Sequence, residues 1–432
     1  MLHIMCPDKL NNKNYYNTPF NIIHTADWHL GQRFYDYERT NEHEKFLEWL
    51  LDNINKRKTD LLVISGDIFD TSSPSSTSQE LFYRFLFNLT KIGHKVEVII
   101  IAGNHDGASR LEAPAALMKV LNITVIGSIK RKDGIIDLDN NIIKIKDENN
   151  NIRCIVVAIP YLRQGDYPIN RDAKNIYSAG VAELYKSSFE KIYNQKELDN
   201  IPIVALGHFH SASASLSDSE RGIRGGLEMI DSSLFDIGYD YIALGHIHKS
   251  QKIGGKENVR YSGSPIPMSF SEINYRHKVI EIGFLNNEST IEELIIPRFV
   301  DIMRIGTPDK PLSKDFVINE LQKLPEIIEQ ENRDEFPFLE INIQLEVPDL
   351  LLSKQITDII DNKKVRLASS RVYYKKDNSE CSGIPQTIED FKELSPEEML
   401  QRVYIKKYGV DVPEDIRSIY AEIISELGKE LK

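Results

Sequence analysis

This sequence has few cysteines, no long apolar run and no excess of basic residues. Its 432 residues include three cysteines, Cys6, Cys154 and Cys381, which lie far apart and match no metal-binding or redox spacing. A disulfide framework is therefore excluded and a reducing compartment is favoured. No apolar stretch approaches the roughly 18 residues that a membrane-spanning helix needs. Residues 1–20 lack the basic-then-apolar plan of a signal peptide, so we expect a cytoplasmic protein without a membrane segment.

Basic residues are outnumbered by acidic ones, since 53 Lys and Arg stand against 65 Asp and Glu and the formal net charge is −12. Proteins that bind nucleic acids usually carry a basic footprint, and this composition argues weakly against such a partner. Bound divalent cations would offset part of the negative charge locally. The composition therefore permits a nucleic-acid site without demanding one.

Six short apolar runs, bounded by Gly, Asp or Pro, are typical of buried strands. They are FNIIHTAD, DLLVISGD, VEVIIIAGN, RCIVVAIP, IPIVALGH and DYIALGH. Helical patterns lie between them, as in residues 41–58 and 78–93. This alternation predicts a layered α/β domain, which we place at residues 21–295 after an N-terminal extension of residues 1–20.

The pattern changes near residue 297, where strand, helix, strand, helix and strand follow in order. This order predicts a small α+β domain over residues 296–380. Residues 377–387 are a predicted linker, and residues 388–432 contain two short amphipathic helices.

Metal-ligand side chains follow five of the predicted strands. These side chains are Asp27 and His29 (TADWHLG), Asp67 (SGD), Asn104 and His105 (GNHD), His208 and His210 (GHFH), and His246 and His248 (GHIH). In an open α/β sheet ligands gather at the carboxyl ends of strands, so these residues can converge on one spot. The mixture of carboxylate, amide and imidazole suits Mn²⁺, Fe or Zn²⁺ with expanded coordination. Two ions about 3.5–4 Å apart that share a carboxylate could use all of these ligands.

Each of these residues taken alone has a plainer interpretation, as a cap or a satisfied polar group. We expect Asp106 to be a turn residue and Asp70 to orient the loop after Asp67. Four further histidines have no partner motif and are expected to be structural: His24, His43, His94 and His277. The metal-site hypothesis depends on the conjunction of five motifs, each behind an apolar strand.

These five motifs, in the order DxH, GD, GNHD, GH and GHxH, resemble those of the calcineurin-like metallophosphoesterases. The longer strings HTADWHLG, GDIFDTSSPS, IAGNHD, LFDIGYDYIALGHIHK and RYSGSPIPMSFSE are similar to the SbcD-type nuclease subunits, from about residue 20 to at least residue 285. The resemblance implies a β-sandwich flanked by helices, with a small capping domain and C-terminal helices. It also implies two Mn²⁺ ions, an SbcC-type ATPase partner and cleavage of DNA. The implied activities are a double-strand 3'-5' exonuclease and a single-strand and hairpin endonuclease, in DNA repair, recombination and replication.

The resemblance also implies roles for individual residues. It places Asp27, His29 and His248 on a first ion, Asn104, His208 and His246 on a second, and Asp67 between the two. His105 matches the catalytic histidine of the family, which lies beside the metals without binding them. His210 has no ligand counterpart. Archaeal members carry a second active-site histidine where this chain has Asp70, which leaves the role of Asp70 open.

Two other functions stay open on the sequence alone. A generic dimetal phosphodiesterase or phosphatase would share all seven ligands, although it would not need the string YSGSPIPMSFSE or the long C-terminal region. A subunit that mainly scaffolds an ATPase would not need an intact set of ligands. Both features favour the nuclease.

Apolar helix surfaces suggest two interfaces. In the resembling family, helices at the positions of residues 78–93 and 111–121 form a homodimer, which completes a heterotetramer with the ATPase. We therefore expect Phe82 and Leu117 near a dimer interface, although these helices could simply cover the sheet. The stripe of residues 388–432 has two candidate partners, the ATPase and the chain's own capping domain, and we favour the ATPase.

Overall fold

The structure, a computed structural model, describes residues 18–195, 201–215, 229–285, 288–328, 331–374 and 396–420. The chain divides into two compact units, of which the first ends at Val300 and the second begins at Asp301. Among the described residues, no helix has the length and apolar character to cross a membrane. Nearly all of the predicted N-terminal extension, and the whole of the predicted linker, lie outside the described residues.

The first unit contains eighteen strands and five α-helices among the residues described in it. The strands are β1 (Phe20–Thr25), β2 (Arg33–Phe34), β3 (Tyr37–Glu38), β4 (Leu61–Ser65), β5 (Glu97–Ile101), β6 (Ile123–Ile126), β7 (Lys130–Lys132), β8 (Ile135–Asp137), β9 (Ile142–Lys146), β10 (Ile152–Ala158), β11 (Ile203–His208), β12 (His210–Ser211), β13 (Met229–Ile230), β14 (Tyr241–Gly245), β15 (Gln251–Ile253), β16 (Lys256–Tyr261), β17 (Lys278–Leu285) and β18 (Glu288–Ile295). The helices are α1 (Thr40–Lys56), α2 (Ser76–Leu89), α3 (Ala108–Glu112), α4 (Ala115–Val120) and α5 (Ile176–Tyr193). All six apolar runs recognised in the sequence form strands here, as predicted.

Two six-stranded sheets organise this unit. The first has the order β18-β17-β1-β4-β5-β6, and the second has the order β15-β16-β14-β11-β10-β9. Strands β1, β4, β5 and β6 of the first sheet are parallel, as are β10, β11, β14 and β16 of the second. Antiparallel strands complete one edge of the first sheet and both edges of the second. The loops after β1, β4 and β5 therefore leave the first sheet at one end, and the loops after β11 and β14 leave the second sheet at one end.

The core of the first unit follows from the alternation of side chains along each strand. In β4, Leu62 and Ile64 face a cluster that includes Phe46 and Leu50 of α1, whereas Val63 belongs to a cluster that joins the two sheets. In β11, Val204 and Leu206 face the first sheet, and Ile203 and Ala205 face α5. Because both faces of these strands are covered, their sequences are continuously apolar. The result is the predicted sandwich of two sheets, flanked by helices on each outer side.

The second unit contains four strands and three α-helices among its described residues, besides a helical segment at residues 414–420 where the described part ends. They are β19 (Ile302–Ile305), β20 (Leu312–Ser313), α6 (Lys314–Gln322), β21 (Phe338–Leu345), α7 (Leu352–Ile360), β22 (Arg366–Tyr374) and α8 (Pro396–Tyr408). Strand β21 pairs in parallel with β19, β20 and β22. Val317 and Leu321 of α6 and Ile356 of α7 share one buried cluster with Leu339 and Ile341 of β21. The predicted order of strand, helix, strand, helix and strand is confirmed.

One detail of the predicted dimer surface is wrong. Phe82 is fully buried in the core of the first unit, where its ring lies 5.4 Å from that of Phe69, so it cannot form an exposed interface. Leu117 is 70% exposed, as an interface residue should be in the free chain. Residues 111–121 form parts of two short helices, α3 and α4, instead of one. The break falls at Pro114, which has no backbone N–H to continue a helix.

The C-terminal helices are described only in part, over residues 396–420. Gly409 ends α8 in a left-handed conformation with φ of 76°, and its N–H donates to the carbonyl of Ile405, as is common for a glycine that ends a helix. Tyr408 packs edge-on against Tyr374 at the end of β22, with ring centroids 4.7 Å apart. Part of α8 therefore packs on its own unit, whereas Val403 and Ile419 are 57% and 54% exposed.

Candidate metal centre

The two sheets are joined at Ser65, the last residue of β4. Its hydroxyl donates to the carbonyl of Ala243 in β14, over 3.0 Å. Its carbonyl accepts a hydrogen bond from Nδ1 of His208, over 2.8 Å. A side chain at the next residue, Gly66, would place its Cβ only 2.3 Å from that Nδ1, and Gly66 also has a positive φ of 90°. Glycine is therefore required here, because it lets the histidine of the second sheet reach the first.

Backbone hydrogen bonds fix the loops after β1 and β4 to one another. The N–H of Asp27 donates to the carbonyl of Gly66, and the N–H of His29 donates to the carbonyl of Asp67, both over 3.0 Å. The carboxylate of Asp27 in turn accepts from the N–H of His246, after β14, over 2.8 Å. Three of the five motifs are thus tied together through main-chain groups before any metal is considered.

The backbone at the site is strained. Four of the seven predicted ligands have a positive φ: Asp27 (54°), His29 (46°), Asp67 (50°) and His246 (102°). Non-glycine residues rarely adopt such angles, and each costs of the order of 1–3 kcal/mol. The surrounding packing maintains this strain at the residues that the sequence assigns to metal binding.

Ligand atoms from the five loops form two compact groups. Asp27, His29 and His248 make one group, and Asp67, His208 and His246 make the other; within each group the ligand atoms lie within 4.8 Å of one another. A third group of the same kind joins Asp67 to His29 and His105, so that Asp67 belongs to groups on both sides. All seven predicted ligands come together, because Asn104 reaches the second group: its Oδ1 lies 3.0 Å from Nε2 of His208 and 2.9 Å from Nδ1 of His246.

The chemistry of these atoms fits divalent cations. Nδ1 of His208 donates to a carbonyl, so Nε2 of the neutral ring carries a lone pair, which faces Oδ1 of Asn104 and Oδ2 of Asp67, the latter at 3.3 Å. Oδ2 of Asp27 and Nε2 of His29 are buried and have no hydrogen-bond partner among the described residues. Converging lone pairs in a buried pocket repel one another unless a proton or a cation lies between them. Carboxylate, amide and imidazole donors without thiolate suit Mn²⁺, Fe or Zn²⁺.

The pKa values show the same demand for positive charge. Burial lowers the pKa of His208, but the charge of Asp67 outweighs it and raises that pKa to about 9. Burial raises the pKa of Asp67, whereas His208 and His29 hold it well below its ordinary value. Burial raises the pKa of Asp27 to about 7 and lowers the pKa of His246 to about 3. The opposite shifts of Asp67 and His208 show that the buried carboxylate of Asp67 favours a positive charge beside it, at the place where the resemblance implies a metal ion.

His105 lies beside these groups in a fixed orientation. Its Nδ1 lies 2.7 Å from the backbone carbonyl of Asp70, and because a carbonyl can only accept, this nitrogen carries the proton. The backbone N–H of His105 donates to Oδ1 of Asp67 over 2.8 Å. The His105 ring stands edge-on to the ring of His29, with centroids 4.7 Å apart.

Asp106 and Asp70 hold the loops around the site. The buried carboxylate of Asp106 accepts hydrogen bonds from the backbone N–H groups of Ile68, Phe69 and Gly103. Asp106 thus stabilises the turns around it, as predicted. Oδ1 of Asp70 lies 3.3 Å from Nδ1 of His29. Asp70 thus contacts one predicted ligand through its side chain and the predicted catalytic histidine through its carbonyl.

Glu272 is a residue of the site that was not predicted from the sequence. Its side chain is fully buried, with Oε1 3.9 Å from Nδ1 of His248 and Oε2 4.0 Å from Nε2 of His277. It also accepts a hydrogen bond from the N–H of Met268. Glu272 is the last residue of the string YSGSPIPMSFSE, which contributes to the family resemblance. The string alone does not show that this glutamate lies beside a predicted metal ligand.

The remaining histidines lie outside the ligand groups. His210 is buried, with its ring centroid 6.3 Å from that of His246, and it belongs to no group of potential ligands among the described residues. His24 binds the hydroxyl of Tyr241 between the sheets, and His94 contacts the carbonyl of Thr59. His43 and His277 are buried, and burial lowers their pKa values to about 3 and about 4. Their structural interpretation agrees with these positions.

Comparison with known proteins gives two family matches. Residues 20–250 match the family model described as calcineurin-like phosphoesterase. Residues 298–408 match the model described as type 5 capsule protein repressor C-terminal domain.

Three curated relatives share one name, which identifies each of them as the SbcD component of the nuclease SbcCD. The relative from Rhodobacter capsulatus is 30% identical over 391 residues, which cover 89% of this chain and 94% of that protein. The relative from Escherichia coli K12 is 35% identical over 284 residues, which cover 64% of this chain and 68% of that protein. The relative from Bacillus subtilis is 27% identical over 423 residues, or 95% and 99% of the two chains.

Proposed function

Because this chain belongs to the SbcD family of calcineurin-like phosphoesterases, we propose that it cleaves DNA as the nuclease subunit of an SbcCD complex. It is a hydrolase of phosphodiester bonds, and its partner is an SbcC-type ATPase. Within this function we propose a double-strand 3'-5' exonuclease and a single-strand and hairpin endonuclease, acting in repair, recombination and replication. Such a role agrees with the cytoplasmic location that the scarcity of cysteine favours.

The observation that supports the proposal is the pair of ligand groups around Asp67, among buried lone pairs that no protein donor satisfies in the described residues. The protein binds divalent metal ions, and we propose two Mn²⁺ ions. The proposed ligands are Asp27, His29 and His248 for one ion, Asn104, His208 and His246 for the other, and Asp67 for both.

The residues of the chain divide the chemistry between them. Bound divalent ions supply the positive charge that neutralises a phosphodiester and makes a nearby water a better nucleophile. Asp67 and Asp27 hold negative charge at fixed positions because backbone N–H groups bind one oxygen of each carboxylate. His105 is oriented by the carbonyl of Asp70, and with a proton on Nε2 it donates to the departing sugar oxygen.

The metal preference follows from four imidazoles in the proposed set. Mg²⁺ prefers oxygen ligands and keeps its waters, whereas Mn²⁺ accepts nitrogen readily. We expect cleavage of linear double-stranded DNA to be several-fold faster with saturating Mn²⁺ than with saturating Mg²⁺, with and without the ATPase. Release of labelled nucleotide measures this. Equal rates with the two ions would contradict the proposed ligands, and intact DNA with either ion would contradict the function.

We propose a homodimer through the exposed apolar residues of α2 and α4. Phe87, Leu117 and Val120 are 56%, 70% and 77% exposed, which is unusual for side chains of this size. The first unit by itself leaves them uncovered.

Sedimentation velocity tests the dimer. We expect a dimer at micromolar concentration, and a monomer after Leu117→Asp, because a carboxylate cannot be buried unpaired in an apolar interface. The matched control is Ile135→Asp, since Ile135 is 73% exposed on the separate strand β8. A monomeric wild-type chain, or a dimer that survives Leu117→Asp, would refute this interface.

We propose residues 296–380 as a capping domain and residues 388–432 as the segment that binds the ATPase. Val403 and Ile419 are the exposed apolar residues available for that contact in the described part of the segment. We expect the double change to Asp at these two positions to abolish capture of the chain by the ATPase and to retain cleavage by the isolated subunit. Leu350 and Leu351, which are 68% and 71% exposed, provide the matched double control. Undiminished capture would place the contact elsewhere.

A further inference from the structure

A cavity of about 180 Å³ shares a wall with the metal centre. The shared residue is His248, whose ring is one of the proposed ligands of the first ion. The other walls come from the residues that follow His248 and from the loop that precedes β17, and they include Lys249, Tyr275 and Arg276. The cavity therefore lies directly beside the metal centre, on the other side of the His248 ring from the proposed ion.

The charge on the cavity walls is positive. Lys249 is half-buried and Arg276 is exposed, and neither forms an ion pair within the part of the chain that the structure describes. Lys278 also lines the cavity, but its Nζ lies 2.6 Å from Glu293. Among the described residues no carboxylate lines the cavity, and the nearby Glu272 is fully buried behind His248 and His277. Two cations thus face the cavity in a chain whose net charge is −12.

The walls of the cavity are built in advance of any ligand. The N–H of Ser264 donates to the carbonyl of His248 over 3.0 Å, and Nδ1 of His277 donates to the carbonyl of Ser264 over 2.8 Å. At Gly263, with φ of 80°, an added Cβ would come within 2.6 Å of the carbonyl of His248. Arg298 donates to the carbonyl of Tyr275 over 3.0 Å. Tertiary contacts thus hold both sides of the cavity, which reduces the entropy lost when it binds a ligand.

We propose that this cavity binds the phosphate adjacent to the scissile one in a DNA strand, through Lys249 and Arg276. The inference rests on the proposed nuclease function and adds a site that selects the substrate. A polynucleotide always presents a neighbouring phosphate, whereas an isolated phosphodiester presents none. Nζ of Lys249 lies over the ring of Tyr275, 5.5 Å from the ring centroid, and this cation–π contact holds the ammonium group at the cavity wall.

The test compares two substrates in the full-length chain with Mn²⁺: a single-stranded oligonucleotide and bis(4-nitrophenyl) phosphate, which has one phosphodiester and no neighbour. For the double variant Lys249→Ala and Arg276→Ala we expect kcat/KM on the oligonucleotide to fall about tenfold more than on the small diester, since charged hydrogen bonds to phosphate are lost. The loss should appear mainly in KM and be independent of base sequence. The dependence of log kcat/KM on log salt should weaken by about 0.7 per lost phosphate contact.

The matched control is Lys252→Ala with Lys256→Ala. These two lysines pair with Glu257 and Asp236 and lie outside the cavity. Their replacement removes two positive charges, the same number as in the cavity variant. We expect this variant to retain the wild-type preference for the oligonucleotide.

Three results would overturn the inference. One is an unchanged KM and salt dependence in the cavity variant. Another is an equal loss on both substrates, which would mean that the residues act at the metal centre. The third is an equal loss in the control variant, which would mean that general charge is responsible. Failure of the nuclease function is distinguishable, because the wild-type chain would then hydrolyse the small diester and leave DNA intact, which would overturn both.

Discussion

Replacement of Asp67 by alanine is expected to release the bound metal and to abolish cleavage of DNA. Asp67 is shared by ligand groups on both sides of the site, and its Oδ1 also accepts the hydrogen bond from the N–H of His105. The loss of Asp67 should therefore reduce metal affinity and activity by more than the roughly 10–100-fold that results when a residue hydrogen-bonded to a metal ligand is removed. Metal content after gel filtration and cleavage of linear DNA with Mn²⁺ should be measured on the same sample.

Asp67→Asn removes the negative charge of this side chain and keeps its shape, so the two contributions can be measured separately. The asparagine oxygen can still accept from the N–H of His105, so the loop after β5 should keep its position. The amide has no charge to hold two cations, and we expect this variant to fold with a cooperative thermal transition, bind little Mn²⁺ and remain inactive. Full metal content in either variant would show that Asp67 is not a bridging ligand.

His105→Ala is expected to reduce cleavage by about 10²–10⁴-fold, the range for loss of a general acid, while the metals stay bound. The two effects separate because the ligand groups of the proposed ions do not require His105: one consists of Asp27, His29 and His248, and the other of Asp67, His208 and His246. Single-turnover cleavage and metal content provide the two readouts.

His94→Ala is a suitable control for this change, since His94 contacts the carbonyl of Thr59 and takes part in none of the ligand groups found among the described residues. It should cleave DNA at the wild-type rate. Near-normal turnover by His105→Ala would remove the catalytic role of this histidine, and loss of metal would make it a ligand instead.

The architecture of the first unit could be read from the sequence because its strands are covered on both faces. A strand such as β4, with all five residues buried, leaves a continuous apolar run, and a polar residue directly after the run marks its carboxyl end. The convergence of the five loops then follows from parallel strands that leave each sheet at one end. The contact between the two sheets through Ser65 and His208 could not be predicted from the sequence, because it uses a backbone carbonyl, which every residue has.

Other features depend on contacts that local sequence does not encode. Phe82 lies in an amphipathic pattern with several apolar positions, and only the packing shows that it faces the core while Leu117 is exposed. Asp70 is one of several acidic residues after a strand until His29 and His105 are placed beside it. Glu272 reaches His248 from 24 positions away, through a turn whose path depends on the rest of the first unit.

Anomalous diffraction from crystals grown with Mn²⁺ tests the proposed dimetal centre most directly. We predict two manganese peaks in the first unit, one on each side of the carboxylate of Asp67, with His29 and His248 on one ion and His208 and His246 on the other. A single peak, or a peak away from Asp67, would contradict this centre.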